Sequence, residues 1–127
     1  MHDKHLYEYA IIRVVPAVER EEFINAGIIL FCKKAGYIKV LQRLNTEKLA
    51  LFPSETDPET ITQNLNALQK IANGDSAGGP IACMDVPSRF RWLTAVRSSL
   101  IQTSRPHPGL CENLDETADR LFRELVL

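Results

Sequence analysis

The chain has 127 residues, a formal net charge of −1, 45% apolar residues and 24% charged residues. That length supports one domain able to bury about two-thirds of its unfolded surface, and the composition is globular. Near-zero charge excludes a global basic field that would gather nucleic acid or an anionic membrane, and leaves only a local patch open to either role.

Residues 6–15, LYEYAIIRVV, are rich in β-branched and aromatic side chains and stop at Pro16, which predicts a strand. Period two places Tyr7, Tyr9, Ile11, Arg13 and Val15 on one face, with Glu8, Ala10, Ile12 and Val14 on the other. Both faces turn apolar toward the middle, so the strand should be interior. The stretch EREEFINAGIILF (19–31) then runs a charged cluster into a second strand, predicted over 26–33 and covered on both faces. Asn25 and Gly27 at the join permit a bulge or a close backbone approach. KKAG (33–36) is a turn signal, and YIKVLQRL (37–44) completes a hairpin.

Thr46 is placed to cap a short helix that ends before Pro53. A stronger helix follows, with Asp57 at the N-cap, Pro58 at the first helical position and Gly74 past the end. Ile61, Leu65, Leu68 and Ile71 or Ala72 form its apolar stripe. GDSAGGP (74–80) reads as a flexible loop. Ser88 then caps one or two helical turns carrying Phe90, Trp92 and Leu93, and SSLIQTS (98–104) reads as a fourth strand. Pro106 and Pro108 force an extended segment around His107, which Gly109 turns. Asn113 and Glu116 make a capping-box-like pair before a final helix striped by Leu114, Ala118, Leu121, Phe122 and Leu125. The expected architecture is α+β: an antiparallel sheet of about four strands with packed helices, a single domain over residues 1–127.

The polar start MHDKHLYEYA is unlike a signal peptide, and no apolar run approaches a membrane span. Cys32, Cys83 and Cys111 are widely spaced and odd in number, so reduced thiols and a cytoplasmic location are expected, with Cys32 and Cys83 buried as small hydrophobes.

Several linked motifs carry a resemblance. They are Tyr9-Ala10-x-Ile12-Arg13-x-x-Pro16, Arg20-Glu21-Glu22-Phe23-x-Asn25-x-Gly27, and Arg89-Phe90-x-Trp92-Leu93-Thr94-Ala95 with Arg97-Ser98. Pro108-Gly109-Leu110 and the terminal Leu121-Phe122 helix complete the set. Together they resemble the bacterial domain of unknown function family 3037 across nearly the whole chain. The resemblance implies no activity. It implies one partner, a kinase-like protein similar to the persistence-factor kinase.

No phosphate-cradling glycine loop, dinucleotide fingerprint or nucleophile elbow is present, and no cofactor is expected. No native metal site is expected either: His2 and His5 are suitably spaced but sit on a terminus that should fray. Glu21 and Glu22, with Glu19 and Asn25, could act as acid and base or hold a cation, with Asp85 or Asp115 as the missing carboxylate. Their structural reading is a solvated turn anchored by Phe23. Arg13, placed mid-strand between apolar residues, should be paired with a carboxylate from the 19–22 cluster or face a cleft and bind an anion. Arg89, Arg91, Arg97, Ser98, Ser99, Ser104, Arg105 and His107 crowd into 19 residues interleaved with Phe90 and Trp92. Arginine forks and hydroxyls suit phosphate, and aromatics suit stacked bases. A Cys111–His107 nucleophile is the remaining chemical option. Two functions follow: a non-enzymatic accessory domain binding a protein partner or a phosphate-bearing ligand, or an enzyme acting on phosphodiesters or nucleotides. Convergence of carboxylates and arginines in one pocket would favour the enzyme.

Overall fold

The computed structural model describes residues 4–54, 56–95 and 99–127. Its chain order begins β1 (His5–Val14), β2 (Ile24–Cys32), β3 (Tyr37–Gln42), α1 (Thr46–Leu49) and α2 (Pro58–Asn73). It continues α3 (Val86–Leu93), β4 (Ile101–Thr103), β5 (His107–Cys111) and α4 (Leu114–Leu125). All strand pairs are antiparallel, in the order β3-β2-β1. Both β4 and β5 lie along the remaining edge of β1. β5 runs beside the first half, with Tyr9 opposite His107, and β4 beside the second, with Arg13 opposite Gln102. β1 is therefore the interior strand its two apolar faces demanded.

The fifth strand departs from the expected four. The prolines around His107 predict an extended segment without a strand, and Pro108 sits within β5, a strand beside β1 alone, where a missing N–H costs little. Gly109 does not turn the chain; it lies opposite Tyr7 in mid-strand. An added Cβ there would fall inside contact distance of the Tyr7 ring, so the glycine makes room for that ring. The side chain of Ser104 spans the β4–β5 joint: its hydroxyl accepts from the Ile11 N–H at 2.8 Å and donates to the Arg105 carbonyl at 3.0 Å.

Helices cover the sheet on both faces, diagonally. On one face Ala10, Ile12 and Val14 are buried, and Ile12, Val14, Ile29, Phe31 and Val40 pack with Ile61 and Leu65 of α2 and Phe90 and Leu93 of α3. On the other, Tyr7, Ile28, Leu30 and Cys32 pack with Leu114, Ala118 and Leu121 of α4. α4 rests on β2 and β3. Tyr37 and Lys39 hold its first turn through Asp115, while Asn25 donates to its Leu125 carbonyl at 3.1 Å. Asn25 is free to do so because the β1–β2 register shifts between Ile12 and Arg13, the bulge that Asn25 and Gly27 had suggested.

Helix starts obey capping chemistry, with two corrections. Asp57, Pro58 and Gly74 bound α2, and Asn113 caps α4, as their spacing predicts. α1 is capped by Asn45 rather than Thr46, its side chain accepting from the Lys48 N–H. α3 begins at Asp85 rather than Ser88, because Pro87 fits the first turn and Asp85 then accepts from the Ser88 N–H at 2.8 Å. After Gly74, two short 3₁₀ turns, Ser76–Gly78 and Pro80–Cys83, bring Ala82 into the core. Cys83 is exposed, not buried; Cys32 is buried, and all three cysteines are free. Among the described residues no helix is long and apolar enough to cross a membrane.

Candidate functional site

Diagonal coverage leaves two corners of the sheet without a helix. The first, on the α2–α3 face, carries Leu6, Glu8, Pro108 and Leu110 where β1 meets β5. Leu6 and Leu110 are cross-strand partners exposed at 64% and 63%. Arg91 closes this corner from α3, donating a fork to the Glu8 carboxylate at 2.8 and 3.2 Å. A groove of about 460 Å³ runs beneath that pair, past Phe31, Lys33 and Pro87.

The second corner lies on the α4 face, where the helix stops short of β1. Tyr9, Ile11 and Arg13 follow one another on this face and are half-buried, and among the described residues Ile11 joins neither buried cluster. His107 stands opposite Tyr9, the two rings 5.2 Å apart and tilted by 33°. At the other end the Arg13 guanidinium lies over the Phe23 ring, 4.1 Å from its centroid, and Phe23 is 45% exposed. Among the described residues Arg13 makes no ion pair, and its Nε is buried without a hydrogen-bond partner. Asn25, directly across from it, gives its amide N–H to α4 and keeps a buried Oδ1 unpartnered. Gln102, across on β4, turns back to the Ser99 carbonyl at 3.0 Å.

The expected pairing of Arg13 with the 19–22 cluster is therefore absent among the described residues. Glu22 is taken by Arg20, and Glu21 ends a 3₁₀ turn in the left-handed region at φ 57°. Asp85 and Asp115, the possible third carboxylates, are committed elsewhere. The Ser88 side chain and N–H hold Asp85 below the ordinary carboxylate range. Hydrogen bonds from Tyr37 and Lys39 do the same to Asp115. Burial, then that same bond to Asp115, pushes the Tyr37 phenol up. Among the described residues no three His, Cys, Asp or Glu side chains gather to hold a metal.

Among the described residues the arginine-rich segment disperses. Arg89 points into the scaffold, its Nη1 donating to the last carbonyls of α2 at Ile71 and Ala72, 3.4 and 3.3 Å away. There it also complements the negative end of the helix, and Gly74 leaves the space it occupies. Arg91 belongs to the first corner, Arg105 is exposed beside the β4–β5 joint, and Ser104 is buried within it. Arg97 and Ser98 lie outside the described residues. His107 and Cys111 share one strand four residues apart, about 13 Å, too far for a nucleophile and its base. An apolar cleft of about 310 Å³ between α2, α3 and β4 is lined by Leu68, Ile71, Trp92 and Leu93, and among the described residues no charged side chain lines it.

Arg13 and His107 thus share one sheet corner from its two ends, about 13 Å of strand apart, with Tyr9, Ile11 and Phe23 between and beside them. Period-two reading already placed Tyr9, Ile11 and Arg13 on one face. His107 was already an anion-binding candidate, but its place opposite Tyr9 follows from the pairing of β5 with β1, which the extended segment around it did not reveal.

A family model described as protein of unknown function (DUF3037) matches residues 9–126. The chain belongs to the DUF3037 family. The match begins at Tyr9 and so spans the whole second corner. No curated protein and no solved structure matches this DUF3037 member.

Proposed function

We propose that this chain is a non-enzymatic binding domain that seats a phosphate-bearing ligand on the sheet corner formed by β1, β5 and the approach to β2. The observation that carries this reading is the state of Arg13. A guanidinium on a largely apolar sheet face is costly unless an anion meets it. Here it lies over the Phe23 ring, no carboxylate among the described residues neutralises it, and Phe23 itself is exposed. Arg91 in the other corner already has its carboxylate. The catalytic alternative draws no comparable support, since Glu21 and Glu22 sit on an exposed turn and His107 stands about 13 Å of strand from Arg13.

The reading is tested by thermal denaturation in sodium pyrophosphate, since a ligand that binds only the folded state raises its melting temperature. Wild type and Arg91→Gln should both gain stability, and Arg13→Gln should gain none. An equal gain in Arg13→Gln would place the anion elsewhere, and no gain in wild type would remove the reading.

A further inference from the structure

We infer that the ligand of this corner is single-stranded nucleic acid, engaged over a short segment, with a base stacked at Tyr9–His107 and a phosphate on Arg13. This rests on the phosphate-binding reading above and adds the identity of the ligand.

Three features of the corner select that chemistry. The first is its length. Tyr9 and Arg13 are on the same face four residues apart, so the aromatic end and the cationic end are separated by about 13 Å of strand. Inorganic phosphate fills only one end. A chain of nucleotides offers planar rings and phosphates in alternation and can occupy both.

The second feature is the kind of side chain at each end. Tyr9 and His107 stand side by side on adjacent strands, half-buried and supported from below by the sheet. Aromatics on an open sheet face are the platform on which unstacked bases rest, and every base has a π-face to offer. The Arg13 guanidinium lies over the Phe23 ring, and its N–H groups suit a phosphate oxygen pair. Ile11 fills the floor between, presenting apolar surface where a ribose or a second base would pass. A peptide or a lipid headgroup would satisfy Arg13 but leave the aromatic end without a matched partner.

The third feature is charge. With a net charge of −1 the domain has no broad positive field, and Arg105 near the β4–β5 joint is the nearest additional exposed cation in sequence. Binding should therefore involve one or two phosphates and depend mainly on stacking. A duplex, whose bases are already stacked internally and whose affinity comes from many phosphate contacts, fits poorly.

The test is fluorescence anisotropy of a labelled short oligothymidylate against the full chain over a series of salt concentrations. Pyrophosphate and a phosphoserine peptide serve as competitors, and the protein without label is titrated with each separately by calorimetry. Wild type should bind the oligonucleotide with a log–log salt slope of about −0.7 to −1.4, the value for one to two neutralised phosphates. Arg13→Gln should weaken binding and flatten the slope by about 0.7. Tyr9→Leu and His107→Leu should each weaken it by roughly fivefold to a hundredfold with the slope unchanged. Arg91→Gln, in the other corner, should bind as wild type does. Far-ultraviolet dichroism and melting temperature, measured on every variant, separate lost binding from lost folding, and the leucines preserve apolar volume at the two aromatic positions. Oligonucleotide binding that survives Tyr9→Leu, His107→Leu and Arg13→Gln in folded variants would overturn the inference. Absent oligonucleotide binding, with pyrophosphate or phosphopeptide still bound through Arg13, would overturn it and leave the phosphate-binding reading standing. If none of the three ligands binds wild type, both readings fall.

Discussion

The two uncovered corners of the sheet differ in how they treat an arginine. In the Leu6–Leu110 corner, Arg91 is matched by Glu8 in a forked pair, and both side chains remain in contact with water. In the Tyr9–Phe23 corner, Arg13 rests on an aromatic ring with its Nε buried and unpartnered. Arg89 supplies a third case: it too has a buried unpartnered Nε, yet its Nη1 meets the carbonyls that end α2. The contrast teaches where cost is balanced by architecture and where it is not. Arg89 and Arg91 complete contacts made within the fold; Arg13 has only the Phe23 ring among the described residues, and the proposed binding role rests on that difference.

The largest stability effects should fall under the helices, away from the second corner. Phe90, fully buried and stacked on Phe31 at 4.5 Å, should cost about 3–5 kcal/mol when replaced by alanine. Ile11→Ala, on the half-open face, should cost about 1 kcal/mol. Denaturant midpoints for the two variants give the ratio directly, and equal losses would mean that the second corner is as tightly packed as the core.

Gly109→Ala comes next. Its Cβ would press into the Tyr7 ring, which is buried against α4, so a loss of about 1–3 kcal/mol is expected. Tyr7→Leu in the same chain should recover part of it. If Gly109→Ala alone leaves the unfolding midpoint unchanged, β5 does not lie flush beneath Tyr7 and the aromatic end of the corner is misplaced.

This strand is also where sequence reading fell short. Helix boundaries were legible because capping is local: Asp57, Pro58, Gly74 and Asn113 announce themselves within a few residues. The centrality of β1 and the burial of β2 were legible from apolar side chains on both faces. β5 was not, because HPGLC holds two residues that usually end strands, and only the distant Tyr7 explains the glycine. Asp85 lost to Ser88 as a predicted cap for a similar reason, the role of Pro87 in the first turn being overlooked. The pairing of Arg13 with the acidic cluster was reasonable on proximity, yet Glu22 finds a closer partner in Arg20, two residues away. Which arginines of the 89–105 stretch meet one another depends on how α3 and β4 are oriented, which no periodicity encodes.

Replacing each arginine by methionine, which keeps the apolar stem, sharpens the comparison further. Arg89→Met removes charge-assisted bonds to two helix carbonyls and should cost about 1 kcal/mol. Arg13→Met removes a buried donor that has no partner, so stability should stay within about 0.5 kcal/mol of wild type, or rise. A large loss at Arg13 with none at Arg89 would reverse their assigned roles.

Acid sensitivity should be the smallest effect and should come from the scaffold. The carboxyls of Asp57 and Asp85 are depressed by hydrogen bonds from Thr60 and Ser88, so each folded-state value lies below the unfolded one near 3.9. Their contribution is thus complete above about pH 4 and declines as pH falls through the lower folded values. Asp85→Asn keeps a capping side chain without the titration, and should flatten the acid limb of the stability curve. An unchanged limb would show that other carboxylates govern it.

The central claim, that the open corner is where this domain binds, is addressed most directly by a backbone amide map. In a nitrogen–proton correlation spectrum titrated with short oligothymidylate, the account predicts that shifts concentrate on residues 9–13 of β1, on 102–107 around the β4–β5 joint, and at Phe23 and Asn25. Shifts confined to the Leu68–Trp92 cleft, or to the Leu6–Leu110 corner, would contradict it.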